Sequence, residues 1–257
     1  MVAALIGHTG FVGGNLARQH RFDQLFNSGN FREMAGRHFD LLVCAGLSAA
    51  KWVANRDPDA DWARIAVLTD VLDTVTAKRV VLISTVDVYP HPAGVDEAAP
   101  IDDAACHAYG RHRLRFERAM TDRFDDVMIV RLPALFGPGL KKNVLFDLLH
   151  DNCLDTINPA SRFQWYDLGH LWRDIERCWM GGIRLVNLVN EPIPTADILD
   201  HFFAGVRVGA GAPAASYDVR SRHSQALGGS NGYLFDRAAV LAEIGAFVAA
   251  ARRRGAA

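Results

Sequence analysis

MVAALIGHTGFVGGNLARQH, residues 1–20, is the stretch on which the reading of the chain turns. Val2, Ala3, Ala4, Leu5 and Ile6 form a short apolar run. Such a run suits a buried parallel strand, although periodicity alone leaves a helix open. Gly7, Gly10 and Gly13 follow at three-residue spacing, with Gly14 behind them. From Phe11 the pattern turns helical, with Phe11, Leu16 and Ala17 as its buried side. Strand, glycine turn and helix in that order make a phosphate-binding device. The glycines let backbone N–H groups approach a pyrophosphate, and the helix start offers free donors and partial positive charge. The same spacing also serves a tight turn with no ligand, so the downstream sequence has to decide.

Downstream, strand and helix patterns alternate. FDQLF (22–26) is a short second strand and DLLVCAG (40–46) a third. Residues 48–59 read as irregular, and Pro58 with Asp59 and Asp61 suits a helix start, followed by a helical pattern from Trp62 to about Lys78. RVVLIS (79–84) is a fourth strand, residues 89–103 a proline-bearing loop, 108–124 a helix and VMIVR (127–131) a fifth strand. Helical patterns recur at 142–150, 167–180, 195–206 and 237–252, with a strand at 184–189. This alternation implies a parallel sheet with helices on both faces. Ligands of such sheets bind at the carboxyl ends of the strands. Gly7, Gly46, Ser84-Thr85 and Pro133 all follow strand ends and are expected to line one crevice.

The chain has 257 residues, 50% of them hydrophobic, enough to bury a large core. Its formal net charge of −1 calls for neither nucleic acid nor an acidic membrane surface. No apolar run reaches membrane-spanning length, and the N-terminus lacks the pattern of a signal peptide. Four cysteines without C-x-x-C spacing suggest no disulfide framework, and the histidine spacing suggests no metal site. The expectation is a cytoplasmic protein acting on a small molecule, with no nucleic-acid or membrane partner.

The fourth strand ends in ISTVDVYP, and the helix after the loop opens with AYGRHRLRFE. A hydroxyl at the strand end, Thr85, and a Tyr and a cation one turn apart, Tyr109 and Arg113, can face one point. The cation favours the phenolate and is expected to lower the tyrosine pKa. The phenol then exchanges the proton of a substrate alcohol, and the Ser/Thr hydroxyl holds its oxygen during hydride transfer to or from a nicotinamide. Singly, each group has a plain reading: a strand-end hydroxyl on the backbone, a half-buried tyrosine, or an Arg113–Glu117 helix pair.

These segments resemble an extended short-chain dehydrogenase/reductase of the NAD-dependent epimerase/dehydratase group. GHTGFVG is similar to that family's glycine motif, STVDVY to its S-S/T-x-x-x-Y segment, YGRHRLRFE to Y-G-x-x-K-x-x-x-E, and VRLPALFGPG to R-x-x-x-x-Y-G-P-G. FQWYDLGHL resembles a later segment, and the likeness runs over about residues 1–205. It implies a Rossmann-type doubly wound α/β fold over residues 1–137 and a smaller substrate lobe over 138–257, with the strand at 184–189 returning to the sheet. It implies Tyr109 as acid/base, Thr85 as the orienting hydroxyl and Arg113 as the cofactor-ribose contact and pKa tuner. Gly7, Thr9, Gly10, Phe11, Val12 and Gly13 would take the pyrophosphate. Ala45, Gly46 and Ser84 would border the cofactor, and Pro133 the nicotinamide.

Three departures bear on function. The family's lysine is Arg113, which is planar and never deprotonated. The asparagine near the nucleotide-sugar is Ala134. The acid expected after the second strand is missing; Asn27, Ser28 and Asn30 stand there with Arg32 nearby, which leans the cofactor toward NADP over NAD. Asp87, Lys141 and Lys142 are candidate substrate contacts, although Asp87 also suits a turn cap and the lysines a solvated pair. His107 and His112 are expected at the surface, and Trp165, Tyr166 and Trp172 in the core of the smaller lobe. The favoured function is an NAD(P)-dependent oxidoreductase or epimerase/dehydratase on a hydroxyl-bearing, nucleotide-sugar-like molecule. A non-catalytic NAD(P) sensor and a vacant scaffold are the competing readings. The resemblance also suggests a homodimer through helices at 62–78 and 108–124.

Overall fold

Apolar runs too short to span a helix pair as adjacent strands in the computed structural model, which describes residues 1–255. The strands are Ala3–Ile6 (β1), Gln24–Phe26 (β2), His38–Cys44 (β3), Thr76–Thr85 (β4), Val127–Leu132 (β5) and Leu185–Asn187 (β6). They form one sheet in the order β6-β5-β4-β3-β1-β2. β1 pairs in parallel with both neighbours, so Ile6 stands opposite Phe26 on one side and Cys44 on the other. β3 is parallel to β4 and β4 to β5, with Thr85 opposite Leu132. The chain leaves β1 toward one edge and builds β3 to β6 toward the other. The carboxyl ends of β1 and β3 therefore flank the point where the winding reverses, the place such sheets keep for a ligand. The doubly wound, Rossmann-like reading of the sequence holds.

The helices that position the site are Phe11–Gln19 (α1), Lys51–Arg56 (α2), Pro58–Leu72 (α3) and Ala108–Arg123 (α4). α3 starts with Pro58 at its first position and Asp57 as cap, whose carboxylate accepts the Ala60 N–H at 3.1 Å. It ends earlier than its pattern suggested. Thr74, Val75 and Thr76 are β-branched and favour the extended state, and Thr76 pairs with His38 as β4 begins. The segment read as irregular contains α2. In α1 the buried residues are Gly13, Asn15 and Leu16; Ala17 is exposed, which corrects the expected face.

Contacts divide the chain into two compact units. The first holds the sheet and comprises Met1–His91, Ala98–Leu132 and Leu171–Val186. Its core centres on Phe39, Leu42, Leu72, Leu82, Phe116 and Met120. The helix Leu171–Met180 belongs here and starts later than the 167–180 its pattern suggested, after a strand at Trp165–Asp167. The second unit comprises Pro92–Glu97, Pro133–His170 and the chain from Asn187 onward. Its core packs Phe136, Trp165, Ile198 and Ile244, with the C-terminal helix Arg237–Gly255 supplying the last. Trp165 and Tyr166 are core residues of this unit, whereas Trp172 packs in the first against His20 and Trp179. Buried Gln164 holds the second unit's short strands together. Its Nε2 donates to the Asn190 and Val219 carbonyls and its Oε1 accepts from Val219 N–H. Among the described residues no helix is long and apolar enough to cross a membrane.

Candidate active site

The glycine turn is shaped by close approach. Gly7 has φ +89°, a left-handed conformation that favours glycine, and a Cβ there would strike Ala45 and Gly46. A Cβ on Gly13 would strike the Gly7 carbonyl. Gly10 caps α1 without a side chain. Helix geometry leaves the N–H groups of Phe11, Val12 and Gly13 without intrahelical acceptors; Phe11 and Val12 are half-buried and Gly13 is buried, next to exposed Thr9 and Gly10. The turn fits a pyrophosphate, because glycine at both positions 7 and 13 lets the backbone close up without side chains in front of the helix start. Ala45 and Gly46 border it at the end of β3.

The ground beyond β2 is less open than its composition suggested. Asn27 N–H donates to Asn30 Oδ1 at 2.7 Å, Gly29 N–H donates to Asn27 Oδ1 at 2.8 Å, and Asn30 Nδ2 donates to the Leu25 carbonyl at 3.1 Å. Both amides are thus committed to the turn. Ser28 and Arg32 remain exposed, with the Arg32 guanidinium 4.9 Å from the Phe31 ring centre.

The structure brings Thr85 and Tyr109 together. Thr85 Oγ1 accepts the Asp87 N–H at 3.1 Å, and its hydroxyl stands close enough to the buried Tyr109 phenol to act on its pKa. Backbone positions the phenol: Tyr109 N–H donates to Asn55 Oδ1 at 2.9 Å, and the His107 ring caps α4 through Gly110 N–H at 3.0 Å. Gly110 is the glycine that α4 requires, since a Cβ there would strike the Asp87 carbonyl.

Arg113 is where sequence and structure part. Its guanidinium lies flat on the Tyr109 ring, 3.9 Å from the centre. Nη1 donates to Asp61 Oδ2 at 2.5 Å, and Nη2 donates to Asp61 Oδ1 at 3.2 Å and to the Ser48 carbonyl at 2.6 Å. Both side chains are buried. His112 Nδ1 lies 2.8 Å from Asp61 Oδ2, so this histidine is buried in the network rather than at the surface. His107 is half-buried. Burial pushes the Asp61 carboxyl up, but hydrogen bonds from Arg113 and His112 outweigh it and hold the group below its ordinary value. The guanidinium's charge is met by Asp61 and its terminal nitrogens are occupied. The structure thus shows a brace between α3 and α4 where the sequence suggested a ribose ligand.

The expected lowering of the tyrosine pKa does not occur either. Burial pushes the phenol up to about 12, Asp87 and Asp61 push the same way, and Arg113 with the nearby Thr85 hydroxyl offsets only part of this. An ultraviolet titration should therefore show an ionisation near 12 that is missing from Tyr109→Phe. Because the folded value lies above the ordinary 10, the stability this burial provides is present below pH 10 and lost between 10 and 12. A wild-type-minus-variant ionisation at or below 10 would contradict this enclosure.

The remaining candidates are placed as follows. Ser84 donates to Glu117 at 2.5 Å, and Glu117 is clamped by Arg131, whose Nη1 reaches Tyr89 Oη at 2.8 Å. Ser84 is thus tied into a buried network under α4. Asp87 accepts from Lys51 Nζ at 2.8 Å. Pro133 is half-buried directly after β5, and Lys141 and Lys142 are exposed; all three belong to the second unit. Sequence reasoning missed Lys51, Asn55 and Asp61, and also a cluster of Asp167, His170 and Glu243 in the second unit. In that cluster His170 Nε2 and Glu243 Oε1 pair at 2.6 Å.

The model of the NAD dependent epimerase/dehydratase family matches residues 24–157. No curated protein matches the chain. Solved structures share its fold at low identity. MoeE5, solved with UDP-glucuronic acid and NAD, aligns at TM-score 0.69 and 14% identity over 99% of this chain and 100% of that one. A dTDP-4-dehydrorhamnose reductase from Clostridium acetobutylicum gives 0.69 and 12% over 98% and 100%. TunA, an NAD-dependent NDP-hexosamine 5,6-dehydratase, gives 0.65 and 14% over 90% and 92%.

Proposed function

The chain belongs to the NAD dependent epimerase/dehydratase family, and from that premise we propose that it is an NAD(P)-dependent oxidoreductase or epimerase acting on a hydroxyl-bearing, nucleotide-sugar-like molecule. One observation carries the reading. An alcohol and a phenol close to one another, Thr85 and Tyr109, stand at the same sheet end as a glycine cradle with uncapped amides. Phe11, Val12 and Gly13 would hold the pyrophosphate through backbone N–H groups, and Ala45 and Gly46 would border the adenosine side. The dinucleotide, when bound, supplies hydride acceptance or donation. Thr85 Oγ1 orients the substrate oxygen. Tyr109 Oη holds the proton at neutral pH, since its pKa is about 12, and is set to give it to that oxygen. The reverse direction requires the phenol to lose that proton first.

The exposed pair Ser28 and Arg32, with no carboxylate from Asn27 to Arg32, suits a ribose 2′-phosphate and so favours NADP. Calorimetric titration tests both claims. NADP should bind more tightly than NAD, and Arg32→Ala should weaken NADP by about tenfold while leaving NAD within about twofold. Equal affinities that the variant leaves alone would overturn the NADP assignment. Neither heat nor thermal stabilisation with either dinucleotide would overturn the functional reading.

The committed guanidinium of Arg113 and the high phenol pKa favour a second reading, a non-catalytic dinucleotide sensor. Turnover by the wild type excludes it; turnover that appears only in Arg113→Lys supports it.

A further inference from the structure

Resting on the reading above, we propose that Lys51, paired with Asp87, binds the ribose hydroxyls on the nicotinamide side of the dinucleotide, the task the sequence assigned to Arg113. The first ground is that the terminal nitrogens of Arg113 are taken, while its Nε is without a partner but buried away from the surface. Its two terminal nitrogens are held by Asp61 and the Ser48 carbonyl, its plane lies on the Tyr109 ring, and its side chain is 3% exposed. It cannot reach a ligand without breaking a buried ion pair.

The second ground is where Lys51 stands. It opens α2, the short helix that follows the end of β3. Its Nζ lies 2.8 Å from Asp87 Oδ1, and its side chain is 38% exposed against 19% for the aspartate. The Asp87 N–H is bonded to Thr85 Oγ1, and the Thr85 hydroxyl neighbours the Tyr109 phenol. One turn along α2, Asn55 accepts the Tyr109 N–H. The helix is thus docked on the reactive turn at two points. Its lysine also depresses the pKa of His107, second to burial, which places the ammonium near the residue that caps α4. A solvent-facing ammonium beside a carboxylate offers donors and acceptors together, the chemistry that a vicinal diol requires.

Three probes separate this contact from its alternatives: NAD, ADP-ribose and ADP. ADP-ribose keeps the second ribose and lacks the nicotinamide, whereas ADP lacks both. Lys51→Met should weaken NAD and ADP-ribose by about tenfold and leave ADP within about twofold, as expected for one charge-assisted hydrogen bond. The variant should melt within a few degrees of the wild type, since a half-exposed ion pair contributes little; Lys51→Gln repeats the test with a polar replacement. Unchanged affinity for all three probes overturns the proposal. Equal weakening of ADP overturns it too, by assigning the ammonium to the pyrophosphate. If the wild type binds neither these three nor NADP, the dinucleotide reading itself fails and the proposal with it, an outcome distinct from wild-type binding that the variant leaves unchanged. If it binds only NADP, the comparison is made with NADP, 2′-phospho-ADP-ribose and 2′-phospho-ADP, and the same results are expected.

Discussion

Tyr109→Phe should reduce turnover by about a hundredfold to ten-thousandfold while the dinucleotide stays bound, the range for losing a positioned acid/base group. The assay follows reduced-nicotinamide absorbance with UDP-glucose, UDP-glucuronic acid and a dTDP-hexose as substrates. The phenol is the group of the pair suited to carry the proton, because an aliphatic hydroxyl such as that of Thr85 is a far weaker acid and its Oγ1 already accepts the Asp87 N–H. Affinity for NAD should change by less than about threefold, since in the proposed mechanism Tyr109 exchanges a proton with the substrate oxygen while the glycine cradle would hold the cofactor. Thr85→Ala should also lower turnover, by less, because it removes orientation and leaves the proton carrier in place. A Tyr109→Phe enzyme with undiminished turnover would exclude the acid/base role.

The second large effect concerns stability. Asp61→Ala should destabilise the protein by about 3–5 kcal/mol, the cost of leaving a buried guanidinium without its partner. In a chain of this size that corresponds to a fall in melting temperature of roughly 10 °C. The double variant Asp61→Ala/Arg113→Met should recover part of the loss, since it removes the orphaned charge as well. The pH dependence follows from the direction of the shift. Asp61 is held below its ordinary value of 3.8, so its contribution is present above that pH and is lost as acid takes the pH down through the folded value. The variant should lack this acid limb. A loss under about 1 kcal/mol would mean that the pair is solvated and that Arg113 is free to turn elsewhere.

This pair also marks the limit of what the sequence discloses. β1, the glycine turn and α1 were legible because a buried parallel strand needs an unbroken apolar run and the cradle needs glycines where a Cβ cannot fit. Thr85 and Tyr109 were legible because each opens or closes an element whose ends are marked. Asp61 is 52 residues from Arg113. In the sequence it is one of two acids in the first turn of a helix, where acids are common for electrostatic reasons of their own. Nothing in local spacing shows that it faces inward toward α4. His112 was misplaced for the same reason, because its buried partner is that same carboxylate. α2 was missed because six residues give too little periodicity, and Lys51 and Asn55 were missed with it. The direction of the Tyr109 shift was misread because the sequence shows the neighbouring cation and does not show the burial that outweighs it.

A crystal structure grown with NAD tests the central claim most directly. The account predicts pyrophosphate oxygens on the N–H groups of Phe11, Val12 and Gly13, and the nicotinamide ring within reach of Thr85 and Tyr109. A dinucleotide bound elsewhere, or a ring turned away from those two oxygens, would contradict it.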